Sequence, residues 1–450
     1  MPSVHPFAAV TYSSFARPGS DLSALVAPPY DVLDASGKAK LLGKSAHNIV
    51  AVDLPHIPAK QLGPASAYEG AAKTLGAWLS DGTLVRSQTP AIYCYRETFA
   101  FAGKTHQRTG MACTLDVKAF GPAAGGGILP HEETFSGPKE DRMALMKATK
   151  MQLSPIFGLH ADEQKAASKL LASICASRRP DVTAKTDDGT LHEVWTITDA
   201  ATIGAYQQAL ANEDVFIADG HHRYTTALNY LRELEQHGGV GADHPARRCM
   251  FVLISMSDPG TVIGPTHRVL GGMKDYSWDK FVRAGASYLR FESIAGDLHY
   301  LEKCLHDLNG MGNPRVGVYD FATKHAAIVI PASPDPLASE FAGKPKAWRE
   351  LDVAFIQYVI VNRICQPQLN AGQAVTWAFP HSIDETLAIG AGQEMGSGGG
   401  KGFVPQLAVI VRPTPLEAVR AVSKANELMP QKSTFFYPKL ATGLFVNPLA

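Results

Sequence analysis

The sharpest change of hydrophobic pattern falls at Val215-Phe-Ile-Ala-Asp219-Gly-His-His-Arg-Tyr224. Four consecutive apolar residues, Val215 to Ala218, predict a short strand covered on both faces. Tyr224, Ala227, Leu228, Leu231 and Leu234 then recur at helical spacing and predict an amphipathic helix. Gly220 permits the sharp turn between them. Free N–H groups in the first helical turn suit an anion, and the Arg223 guanidinium can grip a phosphate through two parallel hydrogen bonds. Asp219, His221 and His222 bring acid–base or metal-binding capacity to the same turn.

The remaining pattern mixes both periods. Ala91 to Phe99 alternates as a strand, and a turn at Gly103-Lys104 predicts a hairpin through Thr114. Further strands are expected at 154–159, 191–197, 250–256 and 407–411. Helices are expected at 70–79, 138–150, 163–176, 278–288, 299–308, 354–365 and 415–428. Ala27-Pro-Pro-Tyr-Asp-Val32 reads as a rigid extended element, because each proline fixes its own φ and biases its predecessor away from helix. The whole predicts an α/β (α+β mixed) fold in three segments, 1–115, 116–275 and 276–450. The glycine-rich run 390–402 is expected to be a mobile loop. It resembles a phosphate loop only in composition, because Met395 stands at the first glycine position and Gly402 follows Lys401.

Composition narrows the class. Lys+Arg and Asp+Glu are both 42, so there is no basic excess to favour nucleic acid. No run approaches the roughly 20 apolar residues of a membrane span, and the first residues lack the pattern of a signal peptide. The six cysteines form no Cys-x-x-Cys pair, so neither a zinc site nor a disulfide framework is expected. A reduced, cytoplasmic enzyme is the expectation, with oligomeric state left open.

Several other clusters could carry chemistry. His131-Glu132-Glu133 lies in a proline- and glycine-bounded loop, where either glutamate could act as general base or magnesium ligand; capping of the following helix is the alternative. Lys139 and Arg142 fall on the first turns of that helix, where cations need an anion or a carboxylate such as Glu140 or Asp141. Thr266-His267-Arg268 offers a second cationic contact, or else a surface histidine–arginine pair. Lys432-Ser433-Thr434 and Tyr437-Pro-Lys439 crowd lysines, hydroxyls and aromatics together and suit phosphate or ribose contacts, or else form a solvated end strand.

Six motifs run in order along the chain: Ala27-Pro-Pro-Tyr-Asp-Val, His131-Glu-x-Thr with Pro138-Lys-x-Asp-Arg142, Ser154-Pro-Ile-Phe, Ile217-Ala-Asp-Gly-His-His-Arg-Tyr, Pro265-Thr-His-Arg268, and Met429-Pro-Gln-Lys-Ser-Thr-x-Phe-Tyr-Pro-Lys-Leu. Together they resemble domain-of-unknown-function family 1015, over almost the whole chain. The Asp219-Gly-His-His-Arg223 turn also resembles the signature of the ParB/sulfiredoxin-like fold, and of its free-serine kinases in particular. That resemblance implies a ParB/sulfiredoxin-like element within a larger multi-layer mixed-sheet fold. It implies phosphoryl transfer between ATP or ADP and a small hydroxylated molecule such as L-serine, with Mg2+ bridging the phosphates. Sulfiredoxin's cysteine is absent, His221 standing in its place, so sulfinic-acid repair is not expected.

On this reading Gly220 and His221 cradle phosphates, Arg223 steadies the transferred group and His222 donates to a phosphate oxygen. Asp219 or Glu132 takes the substrate proton. His267, Arg268, Lys432, Ser433, Thr434 and Lys439 are further nucleotide contacts. Tyr30, Asp31, His131, Lys139 and Arg142 face the substrate. The alternatives are a nucleotide-binding regulatory protein without turnover, and a metal-dependent phosphate-ester hydrolase. The latter is disfavoured because adjacent side chains at a helix start diverge.

Overall fold

Apolar alternation on long strands builds the larger of two sheets. The computed structural model describes residues 3–450 apart from 18, 133–135, 239 and 309–313. The chain forms two compact units, residues 1–130, 134–262 and 438–450 in the first and 131–133 with 263–437 in the second.

In the first unit, Ser20–Asp21, Val182–Lys185, Leu191–Ile197, Ile92–Phe101, Lys104–Asp116, Arg248–Ser255, Ile156–His160, Val215–Asp219 and Ile128–Leu129 lie side by side in that order. Val4–His5 adds to the Lys104–Asp116 strand. The sheet is mixed: Val215–Asp219 runs antiparallel to Ile156–His160 and parallel to Ile128–Leu129. Alternate residues Cys94, Met111, Cys113, Ile156, Ile217 and Phe251 share one buried cluster with Leu171, Ile174, Tyr206, Tyr224 and Ala227 from the covering helices. Each fully buried Leu, Ile or Phe of this kind contributes roughly 1.5–3 kcal/mol.

The expected division at 115/116 does not match these units. Cys249 to Ile254 pairs with Leu115 to Gly110 in one continuous ladder, so the hairpin and the Asp219 strand share a sheet. The expected boundary near 275 also shifts, because Arg268–Gly271 is a strand of the second unit's sheet.

That second sheet is antiparallel, in the order Leu289–Ile294, Ala326–Pro331, Val316–Asp320, Pro405–Ile410, Arg268–Gly271 and Thr376–Ala378. Its period of two is explicit on one strand. Leu407 and Val409 face a cluster with Phe355, Val359 and Ile360, while Ala408 and Ile410 face Leu298, Leu301 and Leu305. The helix expected at 354–365 is Asp352–Phe355 continued by a π-helix over Ile356–Cys365. Within the run 390–402, expected as a mobile loop, Glu394–Met395 pairs with Gly398–Gly399 as a small hairpin. Its glycines serve backbone geometry. Gly399 has φ +92, and a Cβ there would lie 2.6 Å from the Gln393 carbonyl oxygen.

Candidate active site

The expected strand, turn and helix are present as Val215–Asp219, Gly220 and His221–Gln236. Val215, Phe216, Ile217 and Ala218 are all buried, and Tyr224, Ala227, Leu228 and Leu231 form the buried face of the helix. A register shift between Ile217 and Asp219 marks a bulge against Ile156–His160, and bulges re-aim the side chain beyond them. Gly220 then takes φ +99, a conformation that side chains disfavour, and a Cβ there would lie 3.1 Å from Arg223 Nε. The glycine therefore makes the turn and also lets the guanidinium lie across it.

Arg223 donates to the Asp219 carboxylate and to the Pro155 carbonyl oxygen. Lys439, near the far end of the sequence, reaches the other Asp219 oxygen at 2.6 Å. Burial works against the Asp219 charge, but Lys439 and then Arg223 outweigh it and hold the carboxyl well below its ordinary range. His221 starts the helix, is buried and lowers the Asp219 pKa a little further. His222 follows, half-buried.

Beside this turn lies a cavity of ≈ 40 Å³, with room for a few waters or a small ligand group. Tyr30, Asp53, Arg142, Gln152, Ser154, Arg223 and Thr226 supply its polar lining, and Leu145, Met146, Met151, Leu153, Ile156 and Cys249 the rest. Arg142 donates from Nη1 to the Asp53 backbone oxygen at 2.8 Å and from Nε to Asp141 at 2.8 Å. Its guanidinium sits 3.7 Å over the Tyr30 ring. Asp141 also accepts from the Tyr68 hydroxyl at 2.8 Å. Ser154 Oγ contacts Asp53 at 3.3 Å and Thr442 Oγ at 2.8 Å.

The two carboxylates beside the cavity are pushed apart. Burial raises the Asp53 pKa, with Arg142, Arg223 and Ser154 opposing it only in part. Asp219 goes the other way. Burial disfavours charge on Arg142 and Arg223, yet Asp53 beside the first and Asp219 beside the second hold both cations firmly protonated. Asp31 belongs to the turn Tyr30–Val32 and acts on Arg223, Tyr30 and Asp53 through its charge. Its buried Oδ1 has no hydrogen-bond partner among the described residues.

The first unit thus brings together Tyr30, Asp31, Arg142, Asp219, Gly220, His221, Arg223 and Lys439 from the sequence expectations. Lys139 is half-buried on the helix Ser136–Thr149. Asp53, Ser154 and Thr226 are new, whereas Asp141 is one of the carboxylates expected to compensate Arg142. An acidic residue closing the apolar run Ile49-Val-Ala-Val-Asp53 was the available signal for Asp53.

His131, Glu132, His267, Arg268, Lys432, Ser433 and Thr434 fall in the second unit. Glu133, and the Thr134 of the His131 motif, lie outside the described residues. The His131 backbone oxygen accepts from Met429 N–H at 2.7 Å, and its ring Nε2 meets Thr434 Oγ at 2.7 Å. Glu132 accepts the Lys432 N–H at 2.8 Å. The surface alternative for His267 and Arg268 is corrected: both are buried. The Val411 N–H donates to His267 Nδ1, and Arg268 donates to the carbonyl oxygens of Thr266 and, at 2.9 Å, Lys432. Burial lowers the Arg268 pKa to about 10, and Glu132 offsets only part of that. Ser433 is buried, and its carbonyl oxygen accepts from Thr414 Oγ at 2.6 Å.

Among the described residues, no group of three or more His, Cys, Asp or Glu side chains is placed to hold a metal ion. Nor is any described helix long and apolar enough to cross a membrane.

The chain belongs to the family described as "Protein of unknown function (DUF1015)", whose model matches residues 4–354. The match stops short of the Met429 to Leu440 motif, which the sequence resemblance had included. Among curated proteins, none matches this chain. Solved structures similar to it include a free serine kinase variant in complex with ADP, at 11% identity and TM-score 0.33 over 70% of this chain and 89% of that one. A conserved hypothetical protein from Pyrococcus furiosus matches at 14% identity and TM-score 0.31, over 69% and 89%. SbnI from Staphylococcus aureus, truncated at its C-terminus, matches at 9% identity and TM-score 0.33, over 72% and 84%.

Proposed function

We propose that the first unit is a nucleotide-dependent phosphotransferase acting on a small hydroxylated metabolite, with free L-serine or O-phosphoserine as favoured substrate. The observation that carries this reading is one small cavity edged by two guanidiniums, with neighbouring carboxylates of opposite pKa shift. Such a divergence separates a proton acceptor from a permanent charge. The residues fit a nucleotide's phosphates: an open helix N-terminus behind Gly220, and Arg223 beside it. Asp31, whose buried Oδ1 is unpaired among the described residues, fits a substrate ammonium or hydroxyl.

Asp53 is the better general base. Its raised pKa gives it more proton affinity than an ordinary carboxylate, and it lines the cavity. Asp219, held ionised, positions Arg223 and Lys439 instead of exchanging protons. Arg142 orients Asp53 and packs on Tyr30, which closes one wall. A bound ATP or ADP would supply or accept the phosphoryl group. Mg2+ would come with the phosphates, since such ions keep several waters and need only one or two protein carboxylates.

Phosphorus NMR of the protein with Mg2+ and serine plus ATP or ADP, and with phosphoserine plus ADP, tests the proposal. Interconversion of serine and phosphoserine phosphorus signals is expected in one direction or both. Absence of transfer in every combination removes the serine reading, and nucleotide binding without transfer favours a regulatory role.

A further inference from the structure

The sequence offers no cysteine pair, but the fold makes one in the first unit. Cys94 lies on the strand Ile92–Phe101 and is fully buried; Cys175 lies on the helix Ala166–Ser177 and is half-buried. Their sulfurs are 3.6 Å apart, in contact but unbonded. A disulfide S–S bond is about 2.05 Å, so closure needs the sulfurs to approach by about 1.5 Å. Both side chains pack in the same apolar cluster, which holds strand and helix at this distance.

The surroundings favour reaction at Cys175. The Cys94 thiol against its sulfur and then the Arg96 charge lower the Cys175 pKa, outweighing burial and the charge of Glu193, which pairs with Arg96 at 2.8 Å. The partial exposure of Cys175 gives a small oxidant access. Cys304 shares the half-buried state of Cys175 but lies in the second unit, and three other thiols are less accessible. Cys113, Cys249 and Cys365 are buried, and burial alone pushes Cys365 up to about 12.

We propose that Cys94 and Cys175 are a redox modification site that closes to a disulfide on exposure to hydrogen peroxide and reopens with a thiol reductant. The Cys175 thiolate attacks a peroxide oxygen; an S–O bond forms, the O–O bond breaks and the leaving oxygen departs as water after taking up the thiol proton. Cys94 then attacks the resulting sulfenic sulfur. The S–S bond forms, the S–O bond breaks, and hydroxide leaves with the Cys94 proton as a second water. The two sulfurs together lose two electrons and the peroxide gains them.

The test uses the full chain, treated with hydrogen peroxide, unfolded, alkylated and mapped by peptide mass. Alkylatable thiols should fall from six by two, to four, with a peptide linking Cys94 to Cys175 that dithiothreitol abolishes. Cys94→Ser should instead leave Cys175 as a trappable sulfenic acid. Sulfinic or sulfonic acid at Cys175 in the unmodified sequence without the 94–175 link would overturn the proposal. So would six intact thiols at excess peroxide, or links between chains in place of the internal one.

Discussion

Arg223 in the first unit donates to a carboxylate as well as to a backbone carbonyl oxygen, whereas Arg268 in the second donates to backbone carbonyl oxygens. Both were candidate phosphate contacts, and both are largely withdrawn from water. Their electrostatics diverge: Arg223 is held firmly charged, and the Arg268 pKa falls to about 10. A carboxylate is an anion that a phosphate can replace, so an arginine beside one is already set for an exchangeable partner. Carbonyl oxygens are fixed in the chain. Arg268 clamps the 431–432 backbone, and under the proposed function Arg223 is the ligand contact.

The largest effect that sharpens this comparison is expected at Arg142. Arg142→Ala leaves Asp53 and Asp141 buried without their cation, which should cost about 3–5 kcal/mol of unfolding free energy in urea. A loss below about 1 kcal/mol would mean that these carboxylates do not depend on it.

His160 tests the same logic on a buried group that makes no hydrogen bond through its ring among the described residues. It is fully buried, and neither ring nitrogen has a hydrogen-bond partner among the described residues. Burial lowers its pKa from 6.5 to about 4, despite Asp162. The folded state thus favours the neutral ring, so its contribution is complete above pH 6.5 and is lost as pH falls toward 4. The loss should reach about 3 kcal/mol. Denaturation midpoints for His160→Leu between these pH values should show a shallower acid dependence than those of the parent. Equal slopes would refute the assignment.

Smaller still, and aimed at the comparison itself, is the arginine pair. Arg223→Ala should weaken nucleotide binding by about 1.5–3 kcal/mol in titration calorimetry. Arg268→Met should lower stability by a similar amount and leave nucleotide affinity alone. The reverse outcome would exchange the two roles.

Local order made the Asp219 turn legible: a buried strand, a glycine and a helical stripe are consecutive in sequence. Arg142 was legible as a cation needing a partner, and Asp141 is one such partner. Its partner Asp53 was not, because 89 residues separate the two and only the tertiary fold joins them. Lys439 and Asp219, 220 residues apart, were named separately for their chemistry, and packing brought them into contact. His267 and Arg268 misled because residue type suggests a surface, whereas the strand Arg268–Gly271 is interior to its sheet. The hairpin in the glycine-rich 390–402 run was not legible, because glycine signals loops and special backbone geometry alike.

The phosphoryl-transfer rate of Asp53→Asn beside the unaltered chain, followed by phosphorus NMR at saturating nucleotide, bears most directly on the site. The account predicts transfer by the unaltered chain and a fall of about 10²–10⁴-fold in the variant, with nucleotide affinity kept within about twofold. Equal rates in the two proteins would contradict it.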